Sequence, residues 1–66
     1  MIFQIKAEQN YKLAGWVYID KEDDNRVCLV RNRDTAWKTQ NRDTAYYLLN
    51  LCKVNEPDYK WELATL

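Results

Sequence analysis

The sequence predicts a single α+β domain: an antiparallel sheet of four strands, or five, in the chain order β-β-β-(β)-α-β, with one helix packed on one face. Three observations predict it. Two runs rich in β-branched and aromatic residues, 13–20 and 26–31, flank the five-residue polar loop Lys21-Glu22-Asp23-Asp24-Asn25, which is the pattern of a hairpin. Ala45, Leu48, Leu49 and Cys52 recur at i, i+3, i+4 and i+7, one stripe of an amphipathic helix. Apolar residues alternate with polar ones near both chain ends, the period of half-buried strands. With 66 residues there is material for one core only.

In residues 2–7, Phe3, Ile5 and Ala7 alternate with Gln4 and Lys6, so the first strand has an apolar face and a polar one; Glu8-Gln9-Asn10 ends it. Residues 13–20 are the strongest strand, with Trp16-Val17-Tyr18-Ile19 at its centre. Strict alternation puts Leu13, Val17 and Ile19 on one face and Ala14, Trp16 and Tyr18 on the other, so both faces are apolar. Such a strand is central, or its second face meets something outside the domain. The acidic loop that follows lacks the ligand spacing of a calcium loop and reads as a solvated hairpin tip. Residues 26–31 form the return strand, Asn32-Arg33-Asp34 turns the chain, and 35–39 form a short strand or a loop.

Asn41 is a favourable N-cap, and Asp43 places a negative charge in the first turn of the helix. Asn55 and Pro57 stop that helix. In residues 58–66, Tyr59, Trp61 and Leu63 alternate with Lys60, Glu62 and Ala64, a closing strand whose Tyr59 and Trp61 belong under the helix. A helix is about 10 Å wide and strands lie about 4.8 Å apart, so one helix covers only part of the sheet. The opposite face has no second helix to cover it, and Trp16, Tyr18 and Trp37 are the aromatics expected to be exposed.

Ten Lys+Arg balance ten Asp+Glu, yet the charges are segregated along the chain. Residues 1–25 carry a net −2, residues 26–42 a net +4 through Arg26, Arg31, Arg33, Lys38 and Arg42 against Asp34, and residues 43–66 a net −2. A partner feels that local sign rather than the total.

The chain contains no His and no Ser, and its single Gly cannot make a phosphate-cradling loop. The expectation is therefore a protein that is not an enzyme and holds no cofactor and no metal. Cys28 and Cys52 do not form a CxxC pair and read as reduced, structural thiols. No apolar run approaches the ~20 residues of a membrane span and no signal peptide is evident, so a cytoplasmic protein is expected. The pentapeptide Asn-Arg-Asp-Thr-Ala occurs at 32–36 and again at 41–45, and reads as a turn in the first place and a helix cap in the second.

Binding is the function this inventory leaves. Trp, Tyr and Arg are enriched at interface hot spots, which selects Trp16, Tyr18, Arg31, Arg33, Trp37, Lys38 and Arg42 as the residues expected to touch a partner. The leading expectation is a protein that binds a larger host protein as inhibitor or adaptor. The alternative is a nucleic-acid-binding module using the basic, aromatic-bearing segment 26–42. A homodimer through the open sheet face is compatible with either. Thr39-Gln40-Asn41 leading into the helix, with Tyr59-Lys60-Trp61-Glu62-Leu63 after it, is similar in organisation to small proteins encoded by bacteriophages and mobile elements. A bacteriophage inhibitor of host RNA polymerase has that general shape. The similarity implies an inhibitor or adaptor and carries no site residue with it.

Overall fold

The alternating and β-branched segments become four strands in a computed structural model that describes residues 1–66. Strands β1 (Phe3–Gln9), β2 (Lys12–Asp20), β3 (Arg26–Val30) and β4 (Lys60–Thr65) form one antiparallel sheet in the order β3-β2-β1-β4. The single helix, α1 (Arg42–Asn55), packs against β4 and β1. This is the α+β architecture expected, with topology β-β-β-α-β.

Residues 35–39 do not form the optional fifth strand. Arg33–Thr35 make one turn of 3-10 helix, and the chain then runs into the gap where β1 and β2 part company. The β1–β2 ladder runs from Gln9↔Lys12 to Lys6↔Trp16. Beyond it, Trp37 donates its backbone N–H to the Val17 carbonyl at 2.8 Å, and Phe3 and Thr39 exchange two backbone bonds of 2.8 and 3.1 Å. The segment is a wedge that satisfies strand groups otherwise left without partners.

Strict alternation also fails at the start of β2. Ala7 pairs with Gly15 but Glu8 pairs with Leu13, so Ala14 is an extra residue in a β-bulge. The bulge turns Leu13 to the face shared with Glu8, and Ala14 packs against the core. Gly15 sits where β2 crosses closest to β3: a Cβ there would lie 2.9 Å from Leu29 Cβ and 3.1 Å from the Val30 carbonyl oxygen.

Both hairpins are closed by left-handed residues. Asn10 and Tyr11 (φ 55° and 64°) make the two-residue turn from β1 to β2, a twist that suits the strands it joins. In the acidic loop the Asp20 carboxylate accepts from the Glu22 N–H at 3.1 Å and starts a short 3-10 turn, which Asp24 and Asn25 close (φ 52° and 59°). Asn41 caps α1 by accepting from the Thr44 N–H at 3.1 Å.

The core lies between α1 and the sheet and consists of Ile5, Ala7, Val17, Leu48, Leu49, Cys52 and Trp61. Tyr59 meets Trp61 edge to face, with ring centroids 5.5 Å apart. The Trp61 indole N–H donates to the Glu56 carbonyl at 2.8 Å, tying β4 to the end of α1. Cys52 and half-buried Cys28 are both free thiols, and burial pushes the Cys52 thiol up from its ordinary pKa. A thiol reagent at pH 8 should therefore label the native protein in two phases, Cys28 first and Cys52 only as the fold opens. Cys28→Ala should remove the fast phase; two phases of equal rate would contradict this placement.

Candidate partner-binding surface

The face opposite α1 is not the bare apolar surface expected. Trp16 does point to it, but is only 8% exposed. The turn after β3 folds back over this face and lays the Arg33 guanidinium on the Trp16 ring, 4.4 Å from its centroid. Arg33 Nε also donates to Gln4 Oε1 at 2.6 Å and a terminal nitrogen to the Thr65 carbonyl at 3.0 Å, while Gln4 Nε2 donates to the Arg33 carbonyl at 2.9 Å. Gln4, on the polar side of β1, is fully buried by this arrangement.

Over β1 and β4 that face is ionic, while Leu13 and Tyr18 of β2 remain exposed on it. Lys6 bridges Glu8 at 3.3 Å and Glu62 at 3.5 Å, and Lys60 bridges Glu62 at 3.1 Å. The hydrogen bond and charge of Lys60 hold the Glu62 carboxyl below the usual carboxylate range, and the same contact holds the Lys60 ammonium up. Because the Glu62 shift is downward, its contribution to stability is present above the unfolded carboxylate pKa and disappears as pH falls through the folded value.

The seven residues singled out as partner contacts are thus divided. Trp16 and Arg33 are tied to each other on the far face. Trp37 is half-buried against the core, because its backbone is anchored to β2, and with Lys38 it lines a groove on the helix side. Tyr18, at the edge of that groove, alternates onto the Trp16 face of β2 and is exposed, as expected. Arg31 and Arg42 are exposed and join neither group. The repeated pentapeptide behaves as expected: Asn32 Oδ1 accepts from the Asp34 N–H at 2.9 Å as Asn41 does from Thr44. The first copy stops after one turn because Trp37 is drawn to β2, while the second continues into the apolar stripe of α1.

A concave apolar surface lies on the same side of the sheet as the helix. Since α1 lies mainly over β4 and β1, the matching face of β2 and β3 is covered at Val17 and partly by Trp37, and is open at Val27. Ile19 and Val27 form the floor of a groove of about 570 Å³, Leu48 and Leu51 of α1 form one wall and Trp37 stands at the other side, with Lys21 and Lys38 at the rim. Val27 is 43% exposed and Leu51 39%. A second hollow of about 280 Å³ beside the first hairpin turn is lined almost wholly by polar groups, among them Glu8, Asp58 and Lys60, and offers little apolar surface to a ligand.

Ile19, Lys21, Val27, Leu48 and Leu51 were not among the residues the sequence singled out. One signal was present: Leu51 follows Leu48 by one turn, so the apolar surface of α1 extends past its buried stripe toward the groove. No group of three or more Cys, Asp or Glu side chains is brought together in a way that holds a metal ion. No helix is long and apolar enough to cross a membrane.

Fold and surface together define a two-layer α+β domain with an open groove between α1 and the β2–β3 hairpin. Comparison with protein-family models, curated proteins and solved structures finds no match.

Proposed function

We propose that this chain is a non-catalytic binding protein that acts by docking on another protein, as an inhibitor or adaptor of a larger one. The observation that supports it is the open groove: apolar floor and wall, Lys21 and Lys38 at the rim, and a volume of about 570 Å³. The absence of His and Ser supports the non-catalytic part of the reading. Affinity capture from a lysate tests it. The parent chain should retain one stoichiometric partner, and Val27→Glu and Leu51→Glu should each reduce retention at least tenfold while melting within a few degrees of the parent. Capture unchanged by either substitution would overturn the assignment to the groove.

The alternative, a nucleic-acid-binding module, is supported by Arg31, Lys38 and Arg42, three cations that enter no ion pair. Three phosphate contacts to a single strand give a log–log salt slope of about −2. Fluorescence anisotropy with labelled single-stranded RNA and DNA at low salt measures it, and no binding there removes this reading.

A further inference from the structure

We propose that the free edge of β3 is where a second copy of this chain adds its own β3, antiparallel, to make one continuous eight-stranded sheet. This goes beyond the reading above and does not rest on it.

The backbone directions come first. Val17 turns its carbonyl away from β3, since it accepts from the Trp37 N–H in the wedge beside β1. Successive residues of a strand turn these groups to opposite sides, so Trp16 and Tyr18 face β3, where they pair with Val30 and Cys28. In β3 the N–H and C=O groups of Val27 and Leu29 therefore point out of the sheet, and no turn, cap or loop bond reaches them. The strand carries none of the devices that guard an exposed edge. Residues 27–30 are Val-Cys-Leu-Val, without proline or charge, and the ladder with β2 has no bulge. The other edge, β4, is guarded: Lys60 and Glu62 stand on it, and Arg33 takes the Thr65 carbonyl at 3.0 Å.

The strand's ends set the register. Asn25, with φ 59°, bounds β3 on one side and the Asn32 turn bounds it on the other, so a two-fold partner is centred on Cys28. Val27 of each copy then faces Leu29 of the other, and every outward N–H and C=O of these residues finds a partner. Val27, 43% exposed in the single chain, is covered by the same contact. Sliding the pair by two residues brings left-handed Asn25, or Arg31 outside the strand, into the ladder.

Charge selects a second copy and its direction. Asp20, Glu22, Asp23 and Asp24 against Lys21 precede β3, and Arg31 follows it. Asp23 is held by Arg26, while Glu22, Asp24 and Arg31 enter no ion pair. Antiparallel pairing about Cys28 sets Arg31 of each copy opposite Asn25 of the other, next to Asp24, so basic end meets acidic tip twice. Parallel pairing would set like ends together. A strip five residues long is smaller than a standard interface of about 1,600 Å², so association is expected in the micromolar-to-millimolar range.

Sedimentation equilibrium of the reduced protein across that range, with amide exchange alongside, tests the proposal. A monomer–dimer equilibrium is expected, weakened tenfold or more by Arg31→Glu. The Val27 and Leu29 amides should gain protection as concentration rises. Val27→Pro removes an outward donor and no bond to β2, so it should fold and stay monomeric. The register also puts Cys28 opposite Cys28 in a pair without mutual hydrogen bonds, at a Cα separation of about 4.5 Å, which a disulfide spans. In a glutathione buffer the two Cys28 thiols should therefore join, with one oxidised glutathione reduced to two thiols. Cys28→Ala should abolish that covalent dimer and Cys52→Ala should not.

A protein monomeric across the whole range would overturn the proposal. So would a dimer that Arg31→Glu leaves unchanged, one that protects other amides, or a disulfide that forms as fast in Val27→Pro, which reports collision alone. Protection of the two amides only by a captured lysate protein would give the edge to a foreign strand and also overturn it. If Val27→Pro melts far below the parent, amide protection in the parent and the Arg31→Glu result decide.

Discussion

Trp61→Ala is expected to leave the domain largely unfolded at 37 °C. The indole is 7% exposed and belongs to the cluster formed with Ile5, Ala7, Val17, Leu48, Leu49 and Cys52. Truncating a buried Trp costs about 3–5 kcal/mol through lost transfer energy and the cavity left behind. The loss here has two further parts, the bond from the indole N–H to the Glu56 carbonyl and the edge contact with Tyr59. At about 0.05–0.15 kcal/mol per residue, a chain this short has a total stability of roughly 3–10 kcal/mol, so this one change removes most of it. Thermal melting by circular dichroism measures the outcome. Trp61→Phe, which keeps apolar volume but not the donor, should fall between parent and Trp61→Ala. A Trp61→Ala protein melting within a few degrees of the parent would show that β4 is not held to α1 in this way.

Trp61 was also among the residues whose place was readable from sequence, for reasons that apply to most of the fold. Its strand alternates cleanly, and its apolar side has one neighbouring element with an apolar stripe to meet. The same holds for α1, whose Asn41 cap and buried residues appear where periodicity puts them. The exceptions are local backbone events that side-chain period does not encode. The bulge at Ala14 arises where β2 must pass Leu29 at a distance only glycine allows at the next position. The wedge at residues 36–39 arises because β1 and β2 diverge, a relation between strands far apart in sequence.

The candidate surface was less legible than the fold. Counting strands against helix width correctly says that one helix leaves sheet uncovered, but it does not say on which side. The exposure of Trp16 was expected from the lack of a second helix on its face. A turn and one long side chain do that work instead, and no periodic pattern announces that Arg33 will lie on Trp16 from another loop. Conversely, the groove depends on where α1 sits across the sheet, which its own stripe does not specify. Leu48 and Leu51, one turn apart on α1, are the part of the site written in sequence.

Arg33→Ala should cost about 2–4 kcal/mol, nearly all of it on the far face of the sheet. Gln4 is fully buried, and its Oε1 takes its bond from Arg33 Nε at 2.6 Å. Removing that donor leaves a buried carbonyl oxygen without a partner, at about 1–3 kcal/mol. Losing the guanidinium from the Trp16 ring adds about 0.5–2 kcal/mol. Arg33→Lys keeps the charge but not the planar fork, so it should recover only a minor share. Urea unfolding of a double-mutant cycle with Gln4→Leu separates the terms. The Gln4→Leu, Arg33→Ala protein has no orphaned amide, so it should be more stable than the sum of the single changes implies; strict additivity would mean the two side chains do not act as a unit. The same variant bears on function. Arg33→Ala uncovers Trp16, the aromatic first expected to meet a partner, while leaving Ile19, Val27 and Leu51 in place. If the partner docks in the groove, capture at a temperature where the variant is folded should stay within about twofold of the parent. A marked gain or loss of binding would instead bring the Trp16 face into the interface, and with it the surface that charge and aromatic content first suggested.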